Sequence, residues 1–503
     1  MSFSAGILEH KKDVKVTLLY PPIQTFPDAM CKPNGSLAYP MLAGALIKHG
    51  TEVEIFDAST GNDKDDLNEV FYKSTPLPSG LLRTGVSDER ILEEISDSDI
   101  IGLTSIFSSQ ETMVLNTAKL IKKAYPEKLV IAGGVNARNR IEKFFAGGVD
   151  IVCTSESEKT IVHIVNEVQK QSKDFTKIPS IAFEHNGKTV INSTEEIIWD
   201  LDELPMPAWH LLPNERYWKI ARPHGGVFKA GQEVRYASMM TSLGCPFTCS
   251  YCHIADETKG SLAGEIGRFR IKSDDRVLAE IDLLKSLGVK QIFIEDDSLF
   301  GKKQRAVRLL RKIKGKGMDI LDVNGVNLVH LLEKNKPDRE VIEALVEAGF
   351  KIIALGFESA NARIIKKYAS SKWDVNKSDV IGLIHTCKEY GLTIESNYMI
   401  GYPDETREEI NHTIETAKLH VREGLDVAAI MLVMPLPGSP LFDMAVKEGY
   451  LPEDYNLDNM YWGKANMVNT LVPAKELEQI RADAWEQVNN QEYVKYKKKM
   501  RVS

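Results

Sequence analysis

Gly244-Cys245-Pro246-Phe247-Thr248-Cys249-Ser250-Tyr251-Cys252-His253 holds three of the chain's six cysteines, spaced CxxxCxxC, with an aromatic residue just before the last. Three thiolates this close in sequence can converge on one metal site and leave one of its positions open. Where thiols stay reduced, clustered cysteines point to a metal or to catalysis rather than to disulfides. Cys31, Cys153 and Cys387 are scattered and read as small buried apolar residues.

The stretch follows a predicted strand at 236–241. Further strands are predicted at 291–295, 322–326, 352–357, 393–400 and 427–433. Helices fall between them at 274–287, 303–314, 338–348, 377–390 and 407–423. Six strands in strict βα order suggest an incomplete parallel barrel, whose catalytic groups sit at the carboxyl ends of the strands. The cysteines then lie on the first loop over the barrel mouth. The basic run from Lys302 to Lys316 reads as the wet face of a helix. The tail from about Leu441 reads as helical. It ends Lys497-Lys498-Lys499-Met500-Arg501, a solvated helix end.

Upstream, short apolar strands at 14–20, 51–57, 99–105, 129–134 and 150–155 alternate with helices at 42–49, 111–125 and 158–170. This predicts a doubly wound parallel sheet with both faces covered, binding a ligand at the carboxyl ends of its strands. Thr104-Ser105, Gly133-Gly134-Val135-Asn136 and Ser155-Glu156-Ser157-Glu158 would lie on that one edge. Each alone is ordinary turn chemistry, and together they point modestly to a ligand. No GxGxxG opens the first helix, which disfavours a nicotinamide dinucleotide. A hairpin is predicted at 181–190 around His185-Asn186-Gly187, and Leu204-Pro205-Met206-Pro207-Ala208-Trp209 reads as a proline-stiffened linker. The domains expected are 1–170 (Rossmann-like), 171–231 (linker with hairpin), 232–440 (partial barrel) and 441–503 (helical tail).

Composition agrees with this α/β reading. A chain of 503 residues, 43% hydrophobic and 27% charged, is a globular protein of two or three domains. The net charge of −8 gives no footprint for nucleic acid or an anionic membrane. Met1 to Asp13 has Glu9, Lys11 and Lys12 and no apolar run of a secretory signal. No segment approaches the roughly 18 apolar residues of a membrane span. A cytoplasmic location is expected.

Three metal centres compete for the cysteines. A structural zinc wants four ligands; Cys252 and His253 are adjacent and no second CxxC follows. Cys249 to His253 is literally CxxCH, the c-type haem pattern, but that leaves Cys245 unused. A three-cysteine iron–sulfur cluster uses all three thiolates and leaves one iron open.

The CxxxCxxC motif after the first strand of a partial barrel resembles the radical S-adenosylmethionine (radical SAM) superfamily. Phe293-Ile294-Glu295-Asp296-Asp297, Gly356-Phe357-Glu358-Ser359, Asn397-Tyr398-Met399-Ile400-Gly401-Tyr402-Pro403 and Pro437-Gly438-Ser439-Pro440-Leu441 support it at later strand ends. With a doubly wound domain ahead of it, the chain resembles the cobalamin-binding class. Ile101 to Gln110, Gly133-Gly134 and the Pro205–Trp209 linker look like that class. Within it the chain is most like the C-methyltransferases, the fosfomycin-pathway phosphonate methylases among them. No DxHxxG motif offers a histidine to cobalt, which implies base-off cobalamin without protein histidine ligation.

The resemblance implies that Cys245, Cys249 and Cys252 hold a 4Fe–4S cluster whose unique iron takes SAM. Tyr251 would lie beside the adenine. Glu295 and Asp296 would meet the SAM amino group, against a plainer reading in which Asp296 or Asp297 caps a helix. Glu358 would contact SAM, and Asn324 and Asn397 its ribose and carboxylate. Thr104, Ser105, Phe107, Gly133, Gly134, Val135, Ser155 and Glu156 would face cobalamin. The implied reaction is methylation of an unactivated carbon of a small molecule, fed by an electron donor such as flavodoxin or ferredoxin. A non-methylating rearrangement or cyclisation, and a non-catalytic cobalamin or redox sensor, are the alternatives.

Overall fold

Both predicted sheets form. The computed structural model describes residues 13–33, 35, 37–172, 174–194, 197–222, 233–322 and 324–495. The first sheet holds β1 (Lys15–Tyr20), β2 (Glu52–Asp57), β3 (Ile100–Thr104), β4 (Leu129–Gly133) and β5 (Ile151–Cys153). They run parallel in the spatial order β2-β1-β3-β4-β5. Alternate residues go to opposite layers. Ile100, Ile131 and Ile151 pack with α1 (Ala38–His49) and with α3 (Glu158–Gln169), whereas Ile101, Val130 and Val152 pack with α2 (Glu111–Ala124). With both faces buried, the strands read as unbroken apolar runs. The strand order reverses between β1 and β3, which leaves a crevice at their carboxyl ends.

The predicted hairpin is part of this sheet. β6 (Ile181–His185) pairs antiparallel with β5, and β7 (Lys188–Ile191) pairs with β6. Asn186 and Gly187 turn between them at φ of +52° and +71°, the two left-handed positions of a tight hairpin.

The second sheet holds β8 (Tyr236–Met239), β9 (Gln291–Ile294), β10 (Asp319–Asp322), β11 (Phe350–Glu358), β12 (Thr393–Ile400) and β13 (Val427–Leu432), all parallel and in chain order. The third strand lies earlier than the sequence suggested. Ile320 and Leu321 make its ladder, while Gly325, at φ +96°, turns the chain away and leaves Val326 a single bridge to Leu355. Outer helices include α4 (Asp274–Ser286), α5 (Lys303–Ile313) and α6 (Arg407–Arg422). The basic run on α5 is only partly a wet face. Arg305 is buried and donates to Thr241 Oγ1 at 2.9 Å and Lys272 O at 2.8 Å.

An open barrel has two edges with unpaired backbone groups, and side chains cover both. On β8 the indoles of Trp218 and Trp209 donate to Tyr236 O (2.8 Å) and Ser238 O (3.2 Å). On β13 Asn489 pairs with both backbone groups of Ala428 at 2.8 Å, and Arg481 donates to Ile430 O at 2.9 Å. These last two residues come from the C-terminal region, which is helical at Pro440–Lys447 and at α7 (Ala474–Val488) and mostly irregular between. The expected solvated end at Lys497–Arg501 and the N-terminal segment before Asp13 lie outside the described residues.

The proline-rich linker is packed on both sides. Ala208 N–H donates to Pro40 O at 2.8 Å, and Arg276 on α4 donates to the carbonyls of Leu204 and Pro205. Gly44 on α1 is required here, since a Cβ would stand 2.4 Å from Met206 O. Among the described residues no helix is long and apolar enough to cross a membrane.

Candidate active site

The cysteine loop leaves β8 through Gly244, at φ +76°. A Cβ there would lie 2.4 Å from Gly267 O, and the next residue, Cys245, donates its N–H to that carbonyl at 3.0 Å. Gly244 N–H donates to Asp297 Oδ2 at 3.1 Å. Further on, Ser250 N–H is held by Tyr368 O at 2.8 Å. The loop is therefore anchored at both ends by backbone contacts. Its three thiols, all free, line one cavity. Burial pushes Cys245 up to about 11 and Cys252 up to about 12, and raises Cys249 as well. Three buried thiols ionise only beside positive charge, which bound iron would supply. Among the described residues no three His, Cys, Asp or Glu side chains are placed to share one ion. A cluster asks for something else, one thiolate on each of three irons.

The barrel strand ends meet these thiols in the cavity. Glu295 accepts from Ser238 Oγ at 2.5 Å, and burial raises its pKa. Asn324 Nδ2 donates to Glu295 O at 2.7 Å. Glu358 closes β11 at φ +65°, a left-handed backbone that a non-glycine residue adopts at a cost. Its Oε1 accepts from Lys372 Nζ at 2.7 Å. Glu295, Asn324, Glu358, Asn397 and Tyr251 all line the cavity. Asp296 does not. It is 1% exposed and takes hydrogen bonds from Thr241 N–H (2.6 Å), Thr241 Oγ1 (2.7 Å) and Ser242 Oγ (2.5 Å), so it ties β9 to the start of the cysteine loop.

The cavity extends under the barrel mouth to the first sheet. It measures about 890 Å³ and reaches the carboxyl ends of β3, β4 and β5 through Thr104, Gly133, Gly134, Ser155 and Glu156, with Phe107 on its wall. Leu18, Leu103, Ile131 and Cys153 give this part an apolar floor at the crevice where the strand order reverses. Ser105 and Val135 are not on the wall. Ser105 instead accepts from Asn136 Nδ2 at 3.0 Å, and Gly134, at φ +104°, packs so closely on Ser105 that a Cβ would lie 2.7 Å from its carbonyl. Among the described residues the histidines that line the cavity are His253 and His330, both from the barrel.

Several wall residues were not among the ligand contacts expected from the sequence. Lys372 lies beside the thiols and over the Tyr251 ring, 5.9 Å from its centroid. Burial works against its charge, but Glu358 and the neighbouring thiols more than offset that and raise its pKa. Asp297 holds the cysteine loop, and burial lifts it to about 6. Glu158 opens the helix after β5, where burial and then Glu156 lift it to about 7. Arg138, at the end of the one-turn helix Val135–Arg138 after β4, pairs with Glu257, which also accepts from His253 Nδ1 at 2.9 Å. Arg270 pairs with Glu156 at 2.6 Å. These ion pairs join the two domains across the cavity.

The family model described as the radical SAM superfamily matches residues 239–417. Among curated relatives, an uncharacterized methyltransferase of Pyrococcus horikoshii is 28% identical over 383 residues, covering 75% of each chain. The cytidylyl-2-hydroxyethylphosphonate methyltransferase of Streptomyces wedmorensis is 24% identical over 497 residues, covering 92% of this chain and 87% of that protein. Among solved structures, the cobalamin-dependent S-adenosylmethionine radical enzyme OxsB, with aqua-cobalamin and S-adenosylmethionine bound, overlays with a TM-score of 0.68 at 15% identity. That overlay covers 93% of this chain and 66% of the other, and the likeness is one of fold. Over residues 239–417, the chain is similar to the radical SAM superfamily.

Proposed function

We propose that the protein is a cobalamin-dependent radical SAM C-methyltransferase acting on an unactivated carbon of a small molecule. One observation carries this reading: a single cavity is lined by the three cysteines, by the strand ends of the barrel and by the ligand-binding edge of a doubly wound sheet. Bound there, a 4Fe–4S cluster with SAM supplies hydrogen abstraction from carbon, and cobalamin supplies a methyl group. Cys245, Cys249 and Cys252 hold the cluster. Glu295 and Glu358 answer the cationic SAM amino group, Asn324 and Asn397 its ribose and carboxylate, and Tyr251 packs by the adenine. Thr104, Gly133, Gly134, Ser155 and Glu156 line the cobalamin side, with Phe107 at its wall. Ser105 shapes that edge from behind, through Gly134 and Asn136, and Val135 opens the short helix beside it. Asp296 acts indirectly, by fixing the turn into the cysteine loop.

Lys372 keeps positive charge beside the thiolates and orients Glu358. Enclosure between the two domains excludes water from reactive species. The expected reductant is a small electron-transfer protein such as flavodoxin or ferredoxin, and the expected location is the cytoplasm. The test is anaerobic reconstitution with iron, sulfide and cobalamin. A base-off cobalamin spectrum and a product heavier by about one CH₂ group support the reading. SAM cleavage with an unmethylated product would sink the methyl transfer and favour rearrangement.

A further inference from the structure

Part of the cavity wall carries polar atoms that no protein group satisfies. Ser298 follows β9, and Asn327 and His330 follow β10, the neighbouring strand. Ser298 Oγ, Asn327 Oδ1 and His330 Nε2 are shut off from solvent and lack a hydrogen-bond partner, and all three residues line the cavity. Ser298 is 5% exposed. Leaving such a group unpaired is costly, so three on adjacent loops ask for a ligand. The same wall has an aromatic side. The His330 ring meets Phe247 edge-on at 5.7 Å and stacks on Phe300 at 6.4 Å, and both phenylalanines line the cavity.

The charges decide what kind of ligand fits. Among the described lining residues the cations are Arg138, Arg270 and Lys372, and each is already paired, with Glu257, Glu156 and Glu358. Glu158, Glu295 and Asp297 add further carboxyl groups. An oxyanion would find no uncommitted cation here, and it cannot donate to Asn327 Oδ1. A hydroxyl both donates and accepts, so it suits an amide oxygen, a serine hydroxyl and an imidazole nitrogen alike. The aromatic side suits the apolar face of a ring.

We infer that Ser298, Asn327 and His330 form the substrate subsite, and that it takes a neutral polyol such as a sugar or nucleoside rather than a phosphate or phosphonate ester. This rests on the reading of the cavity as a small-molecule site and separates the chain from its phosphonate-methylating relative.

The test reads binding, independently of turnover. Cobalamin- and cluster-loaded protein is titrated anaerobically with methyl glucoside, uridine and myo-inositol, and with glucose 6-phosphate and uridine monophosphate, by ligand-observed saturation-transfer NMR. At least one neutral probe is expected to bind about tenfold tighter than its phosphorylated counterpart, and Ser298→Ala/Asn327→Leu to weaken it by at least about tenfold. His330→Phe, which keeps the ring packing, is expected to weaken it too. Iron content and circular dichroism show that each variant is intact. Phosphorylated probes binding as well as neutral ones, no neutral probe binding, or variants that bind unchanged would each overturn the inference. Deoxyadenosine formation is measured separately: its absence with binding intact counts against the proposed reaction, not against the subsite.

Discussion

Lys372 is the residue on which the electrostatics of the cavity turn. It pairs with Glu358 and stands beside the thiols of the cysteine loop. Lys372→Met strands a buried carboxylate, and breaking a buried pair from one side costs about 3–5 kcal/mol. A lowered urea midpoint and a fall in SAM cleavage of about 100-fold are expected, the latter because misplacing one positioned group costs that much. Unchanged cleavage would remove Lys372 from the site. Gly244 makes a second demand. Gly244→Ala places a Cβ against Gly267 O in a left-handed conformation. Iron bound per chain after reconstitution is expected to fall several-fold while far-ultraviolet dichroism holds. The cysteines were legible because their spacing is local. Lys372 was not, because nothing in its neighbourhood, Ser370-Ser371-Lys372-Trp373, differs from an ordinary polar turn. Asp296 looked like its neighbour Glu295 and differs only in where the fold points it: one carboxylate lines the cavity and the other is consumed by Thr241 and Ser242.

At the scale of elements, the strand–helix alternation was readable throughout. Strand β12 appears at its predicted limits, 393–400, because its buried residues alternate along its length. The third barrel strand shifted because a short apolar run has no periodicity to fix its ends. The edge covers were not readable, since Asn489 and the indoles of Trp209 and Trp218 act on distant backbone. Asn489→Ala leaves Ala428 N–H and C=O unpaired, and a loss of about 1–3 kcal/mol in chemical denaturation is expected. The start of α6 gives a pH prediction. Arg363 and the Thr406 cap hold the Glu409 carboxyl down to about 2. A depressed carboxyl stabilises fully above its ordinary pKa near 4.5 and loses that as pH falls through about 2. The pair is exposed, so Arg363→Met is expected to cost only about 0.5 kcal/mol at pH 7. Parent and variant should converge near pH 2; a constant gap would contradict the assignment.

For the whole molecule, function depends on how two domains close on one cavity. Arg138 and Glu257 are 119 residues apart in sequence and meet between the one-turn helix after β4 and the helix following the cysteines. No local pattern encodes such a pair, which is why the two-domain plan could be read from the chain and the joint between the domains could not. The strap at 204–209 adds to that joint, being held by Pro40 on one side and Arg276 on the other. Arg138→Met is expected to loosen it. Hydrogen exchange should rise together in the segments at 133–140 and 253–258, and cobalamin retention should fall while iron content stays. The central claim is that the three cysteines make a radical-generating centre. The direct measurement is 5′-deoxyadenosine formed from SAM by dithionite-reduced, reconstituted protein and by its Cys249→Ala variant, quantified by chromatography. The account predicts deoxyadenosine from the parent and none above background from the variant. Equal amounts from both, or none from a parent that carries its full complement of iron, would contradict it.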